Sequence, residues 1–189
     1  MALKRLKYPV SATTVALAII LASTTGVTSD FERPDEYAVK SGLIFNFFKF
    51  TTWPPSVREG HELAFCIMGK DQFGRSIDAM AGKIVFGRKI VIRRTAPGGS
   101  IRGCASVFIA SSEAGRLQEI LKSAENHAVL TISDTEGFAM RGVMINLYHE
   151  VGTVRFEINN DAVVKAGIRL SSKLLKLARR VPGEGADRR

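Results

Sequence analysis

The chain has only two cysteines, three histidines and one tryptophan among 189 residues. His61 and His127 fall in or near loops, with no carboxylate or serine spacing that would build a triad. His149 sits at a strand end beside a turn, where a solvated side chain is the simpler reading. No histidine lies at ligand spacing from either cysteine, which argues against a two-cysteine metal site. Gly69-x-x-x-x-Gly74 follows a strand and precedes a helix, as a phosphate loop would. It lacks the Gly-Lys-Ser/Thr ending that supplies the lysine and the magnesium-binding hydroxyl. Gly82 to Gly87 follows a helix and reads as a turn. Ser111-Ser112 follows a strand, but no Gly-x-Ser-x-Gly elbow surrounds it. These absences point away from catalysis and from a bound cofactor or metal.

Long apolar runs are scarce as well. Lys4, Arg5 and Lys7 precede a charge-free stretch from Val10 to Leu21, and small residues follow through Ser29. That order is the layout of a secretory signal peptide over residues 1–29, with Val27-Thr28-Ser29 as one cleavage site. The apolar core is well short of the roughly 20 residues that span a bilayer. No cysteine lies near its end, so a lipoprotein signal is not supported. The expected location is the periplasm.

Cleavage there removes three basic residues and no acidic one, so the formal charge falls from +9 to +6. No dense basic stripe interleaved with aromatics remains, which argues against nucleic acid. Arg179, Arg180, Arg188 and Arg189 gather at the tail, where a solvated, frayed end over residues 181–189 is the plain expectation. Weak affinity for anionic surfaces or acidic partners is the alternative.

Cys66 and Cys104 both lie in the mature part, where an oxidising compartment favours a disulfide. Cys66 falls inside an apolar run from Leu63 to Met68, and Cys104 just precedes another from Ala105 to Ala110. Adjacent parallel strands would bring the two within bridging range. A pair of buried, reduced thiols stays open as the alternative.

Along the chain, helices and strands alternate. A helix starts at Pro34 or Asp35, runs to about Thr51 and is stopped by Trp53-Pro54-Pro55. Five aromatics between Phe45 and Trp53 load it heavily, so Phe50 and Trp53 are candidates for an exposed partner-binding patch as well as for core. Strands follow over Leu63–Met68 and, weakly and at an edge, Lys89–Arg94. A short helix is expected between them, over Phe73–Ala81. Ala105–Ala110 and Val129–Ser133 are strands flanking a helix that opens at Ser111-Ser112-Glu113. Val143–Leu147 and Val154–Ile158 make a hairpin. Leu170, Leu174, Leu175 and Ala178 recur at helical spacing and predict a terminal amphipathic helix. This is an α/β pattern: one domain over residues 30–180, with a mostly parallel, mixed-edge sheet flanked by helices on both faces. Asp71, Ser111 and Asp134 fall just after strands, where open α/β folds bind ligands, and are the cleft candidates. Capping and turn formation account for both aspartates more simply.

The block Leu130-Thr131-Ile132-Ser133-Asp134, Gly137-Phe138-Ala139, Met144-Ile145-Asn146-Leu147, Arg155-Phe156-Glu157-Ile158-Asn159 and Leu170 to Ala178 resembles the C-terminal half of the YfiR-like family. Upstream, Ile44-Phe45-Asn46-Phe47-Phe48-Lys49-Phe50 leading to Trp53-Pro54, and Gly69 to Gly74 after a strand, extend the likeness over residues 35–180. Two features depart from it. Arg141 stands where many members have the first of two glycines, and a late second cysteine pair is absent. The resemblance implies a periplasmic repressor that binds the periplasmic domain of an inner-membrane diguanylate cyclase. It also implies an outer-membrane, peptidoglycan-binding lipoprotein that sequesters the repressor. A homodimer is left open. The rival reading is a periplasmic small-molecule-binding sensory module whose cleft lies at the strand ends.

Overall fold

The computed structural model describes residues 35–181, apart from Glu59 and Pro97. The expected leader over 1–29 and the tail beyond Val181 lie outside the described residues. Helix α1, Glu36–Lys49, starts where Asp35 caps it by accepting the Tyr37 amide. Glu36 in its first turn and Lys49 in its last both suit the helix dipole. Strand β1, Thr51–Thr52, follows, then α2, Pro55–Arg58, and the seven-residue strand β2, Glu62–Met68. A 3-10 turn over Ser76–Met80 leads to a hairpin of β3, Ile84–Val85, and β4, Arg88–Thr95. Then come β5, Ser106–Ile109, a 3-10 segment over Ser111–Arg116, α3, Leu117–Asn126, and β6, Leu130–Ser133. The C-terminal part consists of β7, Ile145–Glu150; β8, Thr153–Ile158; α4, Asn160–Lys165; β9, Arg169–Leu170; α5, Ser172–Leu177; and β10, Arg179–Arg180.

Eight strands form one sheet in the order β10-β8-β7-β6-β5-β2-β4-β3. The run from β4 through β7 is parallel, and so is the β8–β10 pair; β7–β8 and β3–β4 are antiparallel. Every residue of β5 and β6 is buried, as is all of β2 after Glu62. Strands covered on both faces need such unbroken apolar runs. One face packs a core around Ile44, Phe47, Phe48, Phe65 and Phe108 beneath α1. The other packs Cys66, Val107, Ile109, Leu117 and Ile120 beneath α3. The expected α/β architecture is what the chain adopts. Among the described residues, no helix is long and apolar enough to cross a membrane.

The C-terminus differs from its helical spacing. Leu170 pairs with Thr51 in a separate two-stranded sheet, and the helix that follows has only six residues. Arg179 and Arg180 are not frayed: they add a parallel strand beside Glu157 and Ile158. Non-local pairing with β1 and β8 overrides the local periodicity. The weak Lys89–Arg94 run is a full strand one place in from the edge, with the two-residue β3 outside it.

Candidate functional site

The C-terminal ends of β2, β5 and β6 lie side by side, and the first turns of α1 cross them. Lys40 is 3% exposed within the buried stripe of α1. Its Nζ donates to Asp134 Oδ2 at 2.6 Å and also contacts Glu36. It lies 4.4 Å from the centre of the Tyr37 ring. The Tyr37 hydroxyl is 3.2 Å from the same Asp134 oxygen and also hydrogen-bonds Gln72. His149 Nε2 reaches Glu36 Oε1 at 2.8 Å. Burial alone would lower the Lys40 ammonium, but hydrogen bonds to Asp134 and Glu36 outweigh it and raise the group above its ordinary range. Burial pushes the Tyr37 hydroxyl up to about 12, with the Asp134 charge adding to the effect. The Lys40 ammonium holds Glu36 below the usual carboxylate range. The arrangement is a buried charge network that ties α1 to the sheet.

The expected cleft residues do not converge. Asp71 Oδ1 accepts the Phe73 amide at 2.8 Å, closing a turn, and its Oδ2 takes Arg94 Nε at 2.7 Å. Asp134 faces Lys40 instead. Ser111 is exposed at the start of its 3-10 segment. Close packing fills the space between these strand ends. A Cβ on Gly69, where φ is +89°, would come within 2.4 Å of Ser112 Oγ, and Ser112 in turn accepts the Lys70 amide. Phe73 packs edge-on against both Tyr37 and Phe108. Asp71, Ser111 and Asp134 thus do not share one cleft: Asp71 faces Arg94 and Asp134 faces Lys40, cations on two different elements.

Asp134 does line a neighbouring groove of about 800 Å³, with Lys40, Tyr148, His149, Glu157, Arg179 and Arg180 among its walls. Arg179 Nε donates to the buried Glu157 at 3.1 Å, and its guanidinium lies 4.5 Å from the Tyr148 ring centre. Asn146, 1% exposed, donates to Glu157, while its Oδ1 is buried without a partner among the described residues.

Of the two partner-contact candidates, Phe50 is half-buried at the C-cap of α1 and packs on the core. Trp53 is corrected. It is 3% exposed, leans on Phe48 with centroids 5.5 Å apart, and donates from Nε1 to the Ala105 carbonyl at 2.8 Å. The indole is therefore core rather than part of an exposed aromatic patch.

Cys66 and Cys104 are joined by a disulfide, with Cα atoms 5.9 Å apart. The parallel β2–β5 pairing, with Cys66 opposite Val107, places Cys104 on the neighbouring strand's entry. Both residues are buried under α3. The bridge closes a sequence separation of 38. Cys66→Ser is expected to cost about 4 kcal/mol in urea unfolding on the chain-entropy account. Thiol labelling of the denatured, non-reduced protein should find no free thiol, and full labelling of both would contradict the bridge.

The residues that sequence reasoning missed are Lys40, Glu36, Tyr37 and Arg179. Lys40 had a signal: it falls four before Ile44 and seven before Phe47, a lone cation within the apolar stripe. A model of the YfiR/HmsC-like family matches residues 37–179. Among solved structures, the chain is similar to a conserved domain protein from Vibrio cholerae O1 biovar eltor, with a TM-score of 0.52 and 11% identity. That match covers 78% of this chain and 60% of the other, so the chain spans less than two thirds of its length, and it shows the fold alone. A weaker likeness, TM-score 0.46 at 9% identity, is to the ABC domain in complex with L-Trp from Streptococcus pneumonia, covering 64% of this chain and 55% of that one.

Proposed function

Since the chain belongs to the YfiR/HmsC-like family, whose members are periplasmic and regulatory rather than catalytic, we propose that it represses an inner-membrane diguanylate cyclase by contact. In this reading the exported chain binds the periplasmic domain of the cyclase and holds its cytoplasmic half inactive. An outer-membrane, peptidoglycan-binding lipoprotein competes for the repressor and releases the enzyme. The observation that carries the reading is the family match, which takes in α1 through the last helix and so nearly the whole folded unit. The filled strand ends support it, because the place where an open α/β fold usually takes a small molecule is occupied by the protein's own side chains.

Phe50 is the aromatic of the α1 exit that keeps a solvent-facing part. Phe50→Ala is expected to weaken binding to the purified periplasmic domain of the cyclase by about tenfold, with folding checked by circular dichroism. Wild-type affinity in the folded variant would move the interface away from the α1 exit. The small-molecule reading stands second, on one observation: the unpartnered Asn146 oxygen beside two arginines in the 800 Å³ groove.

A further inference from the structure

The hairpin of β3 and β4 turns through Phe86 and Gly87, with φ of 51° and 74°. A two-residue turn with both φ values positive suits Asn-Gly, and a bulky residue at its first position is strained. Phe86 is also 68% exposed, and Ile84 on the same hairpin 61%. Neither the strain nor the exposure helps the domain fold, and backbone strain of this kind gathers at recognition sites. Beside the phenyl ring lies a cavity of about 480 Å³, lined by Thr52, Trp53, Leu63, Phe86 and Arg88 among others. Arg88 donates to the Glu62 carbonyl, yet its Nε is buried without a partner among the described residues. Such an N–H is costly unless an acceptor arrives. Ile90 exchanges backbone hydrogen bonds with Gly82 and Lys83, and past it the outer edge of β4 has no strand partner among the described residues. Lys83, Arg88, Lys89 and Arg93 make this edge basic, with Glu62 as the nearby acid.

We propose that the β3–β4 hairpin docks an extended, acidic segment of a partner protein, which places an apolar side chain against Phe86 and a carboxylate against the Arg88 guanidinium. This rests on the reading of regulation by contact and adds the hairpin to the α1 exit as surface that makes it. A second copy of the chain would bring the same cations to the edge and meet like charge. A lipid surface would cover the phenyl ring but has no backbone strand to pair with the open edge. The open strand edge supplies backbone pairing, and side-chain pockets supply choice.

The test is Phe86→Asn in the full exported chain, because Asn tolerates the left-handed turn. The variant is expected to unfold at the wild-type temperature or above. Its affinity for the purified periplasmic domain of the cyclase, read by calorimetry, should fall about tenfold or more. Arg88→Lys, which keeps the charge and loses the Nε donor, should also weaken it, and higher salt should weaken the wild-type complex. A folded Phe86→Asn chain that binds as wild type overturns the hairpin surface and leaves contact regulation standing. Failure of the wild-type chain to bind the domain at all overturns the reading beneath it. Sedimentation of wild type but not Phe86→Asn with phosphatidylglycerol vesicles, or a dimer lost in that variant, also overturns the proposal by assigning the hairpin to a membrane or to a second copy.

Discussion

Trp53→Ala is expected to destabilise the domain by about 4 kcal/mol, the middle of the range for truncating a buried aromatic. In a domain of this size that corresponds to a melting temperature lower by roughly 10 °C. The indole fills space between α1 and the sheet, against Phe48, and removing it leaves a cavity that the paired strands cannot close. Trp53→Phe separates the two contributions. It keeps most of the packing and loses only the Nε1 hydrogen bond, about 1 kcal/mol. The Ala105 carbonyl would still accept the Leu130 amide at 3.1 Å, so no buried acceptor is stranded. Differential scanning calorimetry checks both. A Trp53→Ala chain as stable as wild type would contradict the placement of the indole in the core. The same expectation warns that lost binding in Trp53→Ala reports unfolding rather than an interface.

Lys40→Met should cost about as much, again about 4 kcal/mol, because it strands a charge instead of opening a cavity. Methionine preserves the length and apolar stem of the side chain. It leaves the Asp134 carboxylate, 8% exposed, without its cation. Adding Asp134→Leu should recover most of the loss, since removing both members of a buried pair is close to neutral whereas removing one is not. The pH dependence follows from the two shifts. Lys40 is raised, so its contribution is complete below the ordinary lysine value of 10.5 and disappears as pH climbs through the raised value. Glu36 is lowered, so its contribution is complete above the ordinary value of 4.5 and disappears as pH falls through the lowered one. Urea unfolding of wild type should therefore give a plateau through neutral pH that declines at both ends. The gap to Lys40→Met should narrow in acid. A gap that widened below pH 4.5 would contradict the network.

Particular residues show what the sequence made legible. The buried runs Leu63–Met68, Ala105–Ala110 and Val129–Ser133 announced parallel strands because only strands covered on both faces tolerate unbroken apolar stretches. The disulfide followed from two of those runs being neighbours, which the β2–β5 pairing bears out. The first helix was legible from its periodicity and the Trp-Pro-Pro stop. Leu170 to Ala178 misled because its helical spacing competes with pairing partners more than a hundred residues away for Leu170, and with Glu157 for Arg179. Helix α4 was overlooked although Asn159 caps it by accepting the Ala162 amide. The site was the least legible part. Asp71 and Asp134 fall at equivalent strand ends, but which cation meets each depends on how α1 and β4 pack. Trp53 shows the same limit in reverse: composition marked it as surplus aromatic area, and its burial rests on non-local contacts with Phe48 and the Ala105 carbonyl.

Deleting the gene and measuring total cyclic-di-GMP in the cells tests the account most directly. The account predicts a rise, reversed by wild-type chain supplied with its leader and not by chain confined to the cytoplasm. An unchanged level in the deletion strain would contradict repression of a cyclase and leave the groove around Asn146 and Arg179 as the place to look for function.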